Sequence, residues 1–292
     1  MRRIVNSGML GRECGIVLPG WDGEGEKTKI HYLDTEEGIP LLLVHPPGLC
    51  LYTFRSLIPF LEGSYRCVAP DLPGFGFSGR PVSFGYSVEE MGACLLSFMD
   101  AAGLEKAHVF GGASGSLYAL SAAKKAPERF LKLLLCCPGG VEKQAPHKLR
   151  RLAAPILGPL FRELYTKKDW RDTLCTAYFD STVCTEEVAA EFFKTADSYT
   201  SRQAFMYAVR NMDSEQAFRN ADRLQNEIFI LWGSEDRWLP IENMDRARDA
   251  MPLAYRYKID HAGHFFWEEK ARETADMADK FFRYQPEEEK EC

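Results

Sequence analysis

The feature that most constrains this chain is a series of short, almost uninterrupted apolar runs spaced by helix-length segments. They span Ile39 to His45, Tyr65 to Pro70, His108 to Phe110, Leu131 to Cys137 and Ile228 to Trp232, followed by a more polar run from Tyr255 to Ile259. Strands apolar on both faces require a parallel sheet covered by helices on both sides, which predicts an α/β architecture. Two earlier candidates, near Gly15 to Leu18 and Lys29 to Leu33, lie too close together for a helical crossover and predict an antiparallel hairpin at the start of the sheet.

Helix signals fill the gaps. Ser87 and Glu90 have capping-box spacing and open a helix running to about Ala102, closed by Gly103, and a second helix runs from Ser116 to Lys125 and stops near Pro127. Ala271, Ala275, Ala278 and Phe282 mark a terminal helix, after which the Glu-rich tail from Pro286 to Cys292 is expected to fray. No strand is expected between Cys137 and Ile228. Helices are expected there over Leu149 to Tyr165, broken by Pro155, Gly158 and Pro159, and over Trp170 to Tyr178, Glu186 to Phe193 and Arg202 to Met212. The resulting plan is a core of residues 1–138 and 227–292 with a helical lid, residues 139–226, inserted over the carboxyl edge of the sheet.

Charge narrows the partners. With 36 Lys and Arg against 42 Asp and Glu, the net charge of -6 provides no global attraction to nucleic acid or an anionic membrane, so a small-molecule substrate is expected. A homo-oligomer is not indicated. Nine cysteines without metal spacing, and an N-terminus without a sustained apolar stretch, predict reduced thiols, no secretion signal, no membrane span and a cytoplasmic protein. His261 and His264 have a spacing available to metal ligands, but no third ligand is specified, and no metal or cofactor is expected. Gly74 and Gly76 lack the lysine of a phosphate loop, and the glycines from Gly111 lack dinucleotide spacing, which disfavours nucleotide binding.

The strongest local pattern is Val109-Phe110-Gly111-Gly112-Ala113-Ser114-Gly115-Ser116, a strand entering a helix through a tight turn. At such an elbow the residues two before and two after the reactive position must be small. Gly111 and Gly115 satisfy this around Ala113. Gly112 and Ser116 would satisfy it around Ser114, a frame that the spacing leaves open.

In sequence order, His45-Pro46-Pro47-Gly48, the run Asp71 to Ser78, the Gly111 to Gly115 elbow, Gly233-Ser234-Glu235-Asp236 and Ala262-Gly263-His264 together resemble the α/β-hydrolase superfamily. Pro127-Glu128-Arg129 stands at the family's usual interval when Ala113 takes the nucleophile position. The resemblance therefore implies an α/β-hydrolase fold with a helical lid and a Ser-His-Asp site in which Ala113 replaces the serine, His264 is the base and Asp236 orients it. His45 falls in the loop that shapes the site floor.

The resemblance also assigns an oxyanion hole to the amides of Ser114 and of the residue two after the loop histidine. That residue is Pro47, which has no N–H, leaving Gly48, a water or a side chain to substitute. Trp238, Phe265, Phe266, Trp267 and Phe205 are expected to form an apolar pocket, to which Tyr178, Phe179 and Tyr207 could add a lid surface, with Arg210 available to an anionic group. Two functions follow: a serine hydrolase of a small apolar or aromatic carbonyl compound, studied in a Ser-to-Ala form, or a naturally noncatalytic ligand-binding relative.

Overall fold

The structure, a computed structural model, describes residues 11–18, 25–140, 151 and 166–284. Eight strands form one sheet: β1 (Arg12–Val17), β2 (Lys27–Asp34), β3 (Ile39–Val44), β4 (Tyr65–Pro70), β5 (Ala107–Gly112), β6 (Phe130–Cys136), β7 (Glu227–Gly233) and β8 (Tyr255–Ile259), in the order β1-β2-β4-β3-β5-β6-β7-β8. β1 pairs antiparallel with β2, and β2 antiparallel with β4, while the remaining pairs are parallel. The opening hairpin and all six later strands thus fall where the apolar pattern placed them.

Helices α1 (Ile58–Leu61), α2 (Val88–Ala101), α3 (Gly115–Lys125), α8 (Asn243–Ala250), α9 (Phe266–Glu269) and α10 (Ala271–Arg283) accompany the sheet. The capping box at Ser87 and Glu90 forms, and Gly103 ends the α2 segment at φ +66°. α2 packs on α3, and α1 on α10. Leu41 to Val44, Val109, Phe110 and Leu133 to Cys136 are completely buried, because both faces of these central strands are covered.

The strand order places the site. β3 has β4 on one side and β5 on the other, so the chain leaves the ends of these adjacent strands in opposite directions. Ligands of open α/β sheets bind in the crevice at such a reversal. Here it brings together the loop from His45 to Gly48 and the elbow at Ala113.

Between β6 and β7 lie α4 (Lys167–Cys175), α5 (Glu186–Ala196), α6 (Tyr199–Arg210) and α7 (Ser214–Phe218), and no strand among the described residues. Each starts on a side-chain cap: Thr166, Thr185, Ser198 and Asp213 accept the N–H of Asp169, Val188, Ser201 and Gln216 respectively. The helix expected over Leu149 to Tyr165 and the tail from Pro286 lie outside the described residues. Cys175 and Cys184 are joined as a disulfide within this insertion, where sequence alone predicted reduced thiols. Among the described residues no helix is long and apolar enough to cross a membrane.

Candidate active site

The elbow forms around Ala113. Its φ of +48° is in the left-handed region that non-glycine residues avoid, whereas Ser114 is already helical at φ -63°. A Cβ on Gly111 would lie 2.6 Å from Ser116 Cα, and one on Gly115 would lie 2.3 Å from the Val44 carbonyl oxygen. The small residues that the approach requires are thus those flanking Ala113. Ser116 then locks the turn, its hydroxyl donating to the Gly111 carbonyl at 2.7 Å.

Asp236 follows β7 and is buried. Its Oδ1 accepts the N–H groups of Trp238 and Leu239, each at 2.8 Å, and its Oδ2 faces His264 Nδ1 at 2.7 Å. His264 follows β8 and is also buried. Two backbone amides hold the carboxylate, the carboxylate orients the ring, and His264 shares a cavity lining with Ala113 and Ser114. Ser114 opens α3, so its amide belongs to a helix start, where backbone N–H groups lack intrahelical acceptors.

Cys137 Sγ lies within 4.8 Å of ligand atoms of Asp236 and His264, the one grouping among the described residues whose donors could hold a metal. Burial pushes the Cys137 thiol well above its usual range, which keeps it protonated. Asp236 is already occupied by His264 and two amides, so these groups form a hydrogen-bonded cluster. His261 is exposed and stacks near Phe179, away from this cluster.

His45 forms the floor as a neutral imidazole whose one N–H is on Nδ1. Its Nε2 accepts the Leu72 N–H at 2.9 Å and its Nδ1 donates to the Pro46 carbonyl at 2.8 Å, while burial lowers its pKa. His31, remote in sequence, is buried against Asp71 at 2.7 Å. Asp71 also accepts the N–H groups of Leu51 and Phe77, which makes the Asp71 to Ser78 turn a structural knot.

The cavity, about 70 Å³, is bounded by Pro47 and Gly48 on one side, His264, Phe265, Trp238 and Leu239 on another, and Trp170, Leu174, Phe205, Val209 and Met212 from the insertion. Trp238 tilts against His264 with ring centroids 5.3 Å apart and donates its Nε1–H to Thr176 at 2.9 Å. Of the aromatics expected here, Trp238, Phe265 and Phe205 line the cavity.

Phe266 and Trp267 do not. Helical geometry turns successive residues by about 100°, so both enter the core, where Trp267 Nε1–H donates to Thr53. Arg210 lies outside the lining for the same reason, since its neighbour Val209 takes the inward position. Tyr178, Phe179 and Tyr207 are also outside it. The sequence reading missed Trp170, Leu174, Val209, Met212 and Leu239; for three of them the i, i+4 pairs Trp170 with Leu174 on α4 and Phe205 with Val209 on α6 were the available signal.

Comparison with known proteins agrees with the fold. The model of the alpha/beta hydrolase fold family matches residues 39–171. The chain is 27% identical to a 2-hydroxymuconate semialdehyde hydrolase of Pseudomonas sp. (strain CF600), across 94% of this chain and 95% of that one. It is 26% identical to a 2-hydroxy-6-oxo-2,4-heptadienoate hydrolase of Pseudomonas putida, across 88% and 91%. A solved meta-cleavage product hydrolase from Pseudomonas fluorescens IP01, a serine-to-alanine mutant complexed with acetates, superposes with a TM-score of 0.74 at 25% identity, covering 92% of this chain and 96% of that one. The elbow, the ordered strand-end loops, the helical insertion and these likenesses lead to one assignment: the chain has an α/β-hydrolase fold with a helical insertion, similar to that of the meta-cleavage product hydrolase.

Proposed function

We propose that the cavity receives a small, mainly apolar or aromatic carbonyl compound, and that the site is that of a serine-type hydrolase halted at its first step by Ala113. The observation that carries this reading is the buried Asp236–His264 pair, at 2.7 Å, on the same cavity as an elbow whose strained residue is Ala113. A strained elbow and an oriented imidazole are what an attacking hydroxyl needs, and alanine at position 113 lacks that hydroxyl. Residues 139–226 act as the lid and residues 1–138 and 227–292 as the core. The relatives' names favour a carbon-carbon bond beside a carbonyl among the candidate ester, lactone and carbon-carbon substrates.

With serine at position 113, its oxygen would attack the carbonyl carbon as His264 took its proton, and the Ser114 amide would hold the oxyanion. His264 would return the proton to the departing group, then draw a proton from the water that releases the acyl enzyme.

A second reading has its own observation. Pro47 lines the cavity where the second oxyanion amide is expected and has no hydrogen to donate. A ligand-binding protein with neither nucleophile nor complete oxyanion hole fits both departures. Ala113→Ser separates the two: covalent labelling by a fluorophosphonate probe, abolished by His264→Ala, supports the hydrolase. A folded Ala113→Ser protein with no labelling and no turnover of esters, lactones or carbon-carbon substrates supports the binder.

A further inference from the structure

The loop that carries His264 is fastened to the insertion as well as to the core. The Ala177 carbonyl, just beyond α4, accepts the His264 N–H at 2.6 Å and the Phe265 N–H at 3.4 Å. Glu269, at the end of α9, reaches back to accept the N–H groups of Phe179 at 3.0 Å and Asp180 at 3.1 Å, and also that of Gly263. One carboxylate therefore binds the residue before His264 and the insertion segment whose carbonyl holds His264 itself.

The two backbones are nearly touching. A Cβ on Gly263 would lie 2.4 Å from the Ala177 carbonyl oxygen and 2.6 Å from the Phe179 nitrogen, so no side chain could separate them. Next door, buried Glu268 accepts the Tyr178 hydroxyl at 2.8 Å and pairs with Arg55 at 2.6 Å. Consecutive carboxylates thus grip one short stretch, Tyr178 through Glu268 and Phe179 and Asp180 through Glu269.

We propose that Glu269 is a positioning residue for His264, clamping the insertion segment from Ala177 to Asp180 onto the histidine loop so that the two move as one body. A charged acceptor serving three amides from two separate chain segments does this directly, because hydrogen bonds to charged groups are stronger than neutral ones. Opening of the insertion at this end would release the His264 amide and loosen the ring's alignment with Asp236. The parts of the insertion free to move for ligand entry are then those distant from Ala177, including the α6 wall that carries Phe205.

The inference rests on His264 as the working imidazole of the site, but its test reads the backbone and ring without activity and can fail independently of the hydrolase reading. In native-state hydrogen exchange on the unmodified chain, the amides of Gly263, His264, Phe179 and Asp180 should open with one shared free energy. In Glu269→Gln, these amides and the His264 Nδ1–H proton, seen as a low-field resonance, should exchange about tenfold faster or more, while core amides of β5 keep their protection.

Faster exchange at Phe179 and Asp180 with His264 unchanged would overturn the proposal. So would an equal loss at every amide, β5 included, since that marks a general stabiliser. If Glu269→Gln does not fold, the unmodified chain still decides, because separate opening of the His264 and Phe179 amides contradicts a single clamped body.

Discussion

Asp236 offers His264 one oxygen while two backbone amides, from Trp238 and Leu239, occupy the other. The carboxylate cannot rotate without leaving two amides unpaired in a buried site, so the pair fixes both the ring plane and the tautomer with Nδ1–H toward Asp236. In Asp236→Asn the side-chain oxygen would stay on the two amides and turn the NH₂ toward Nδ1. That forces the hydrogen onto Nε2, the nitrogen that must accept a proton. On an Ala113→Ser background we expect turnover to fall by roughly 10⁴ with little change in melting temperature. In Asp236→Asn made alone, with Ala113 retained, the low-field Nδ1–H resonance of the parent chain should vanish.

Pro47 makes the opposite kind of prediction, a gain. If the oxyanion of the serine form is held by Ser114 alone, supplying an N–H at position 47 should raise kcat. A single donor in such a hole contributes about 10² to 10³, so Ala113→Ser combined with Pro47→Gly should exceed Ala113→Ser by about 10². Steady-state kinetics with an activated aryl ester checks this. An unchanged rate would mean that Gly48, at φ +83° one residue on, already donates.

Phe205 separates two chambers. Its ring sits so close over the floor loop that a Cβ on Gly48 would lie 2.8 Å from it, and beyond it a second cavity of about 30 Å³ runs between Phe75, Trp170 and Phe193. Both cavities share Gly48, Leu49, Trp170 and Phe205 in their walls. Phe205→Ala should join them, leaving benzoate affinity nearly unchanged while each added methylene in a phenylalkanoate series gains about fourfold, the transfer value of a buried methylene. Calorimetric titration of the unmodified and Phe205→Ala chains with that series is the measurement.

The sheet was legible because its strands are apolar on both faces, a pattern that needs no partner to interpret. α2 was legible because Ser87 and Glu90 carry its start chemically. α8 was not: of Asn243 to Ala250 only Ala247 is buried, so no apolar period announces the helix. At the site, Ala113, Asp236 and His264 sit at strand ends, where order along the chain fixes their position. The pocket wall depends on helix rotation, which run-of-aromatics reasoning ignores: Phe265, Phe266 and Trp267 are consecutive, yet only Phe265 lines the cavity. The Glu269 clamp joins residues 263, 179 and 180, and nothing in its local sequence distinguishes it from a solvated helix glutamate.

His108 supplies a pH prediction outside the site. It lies in β5, is buried against Phe282 with ring centroids 4.5 Å apart, and has its pKa lowered from 6.5 to about 4 by burial first and by Lys132 second. Its Nδ1 has no hydrogen-bond partner among the described residues, so the fold provides nothing to favour the charged ring. A folded-state pKa below the unfolded value means that the unfolded chain takes up the proton first as pH falls. The stability that depends on a neutral His108 is therefore complete above about 6.5 and declines as pH falls toward 4. His45, also lowered by burial, adds a decline of the same sign. His108→Phe keeps an aromatic ring against Phe282 and removes the titrating nitrogen, so denaturant melts of the variant should be at least as stable at pH 7 and should lose less stability between pH 7 and 4.5 than the parent. Parallel declines in the two proteins over that range would show that His108 is not the group responsible.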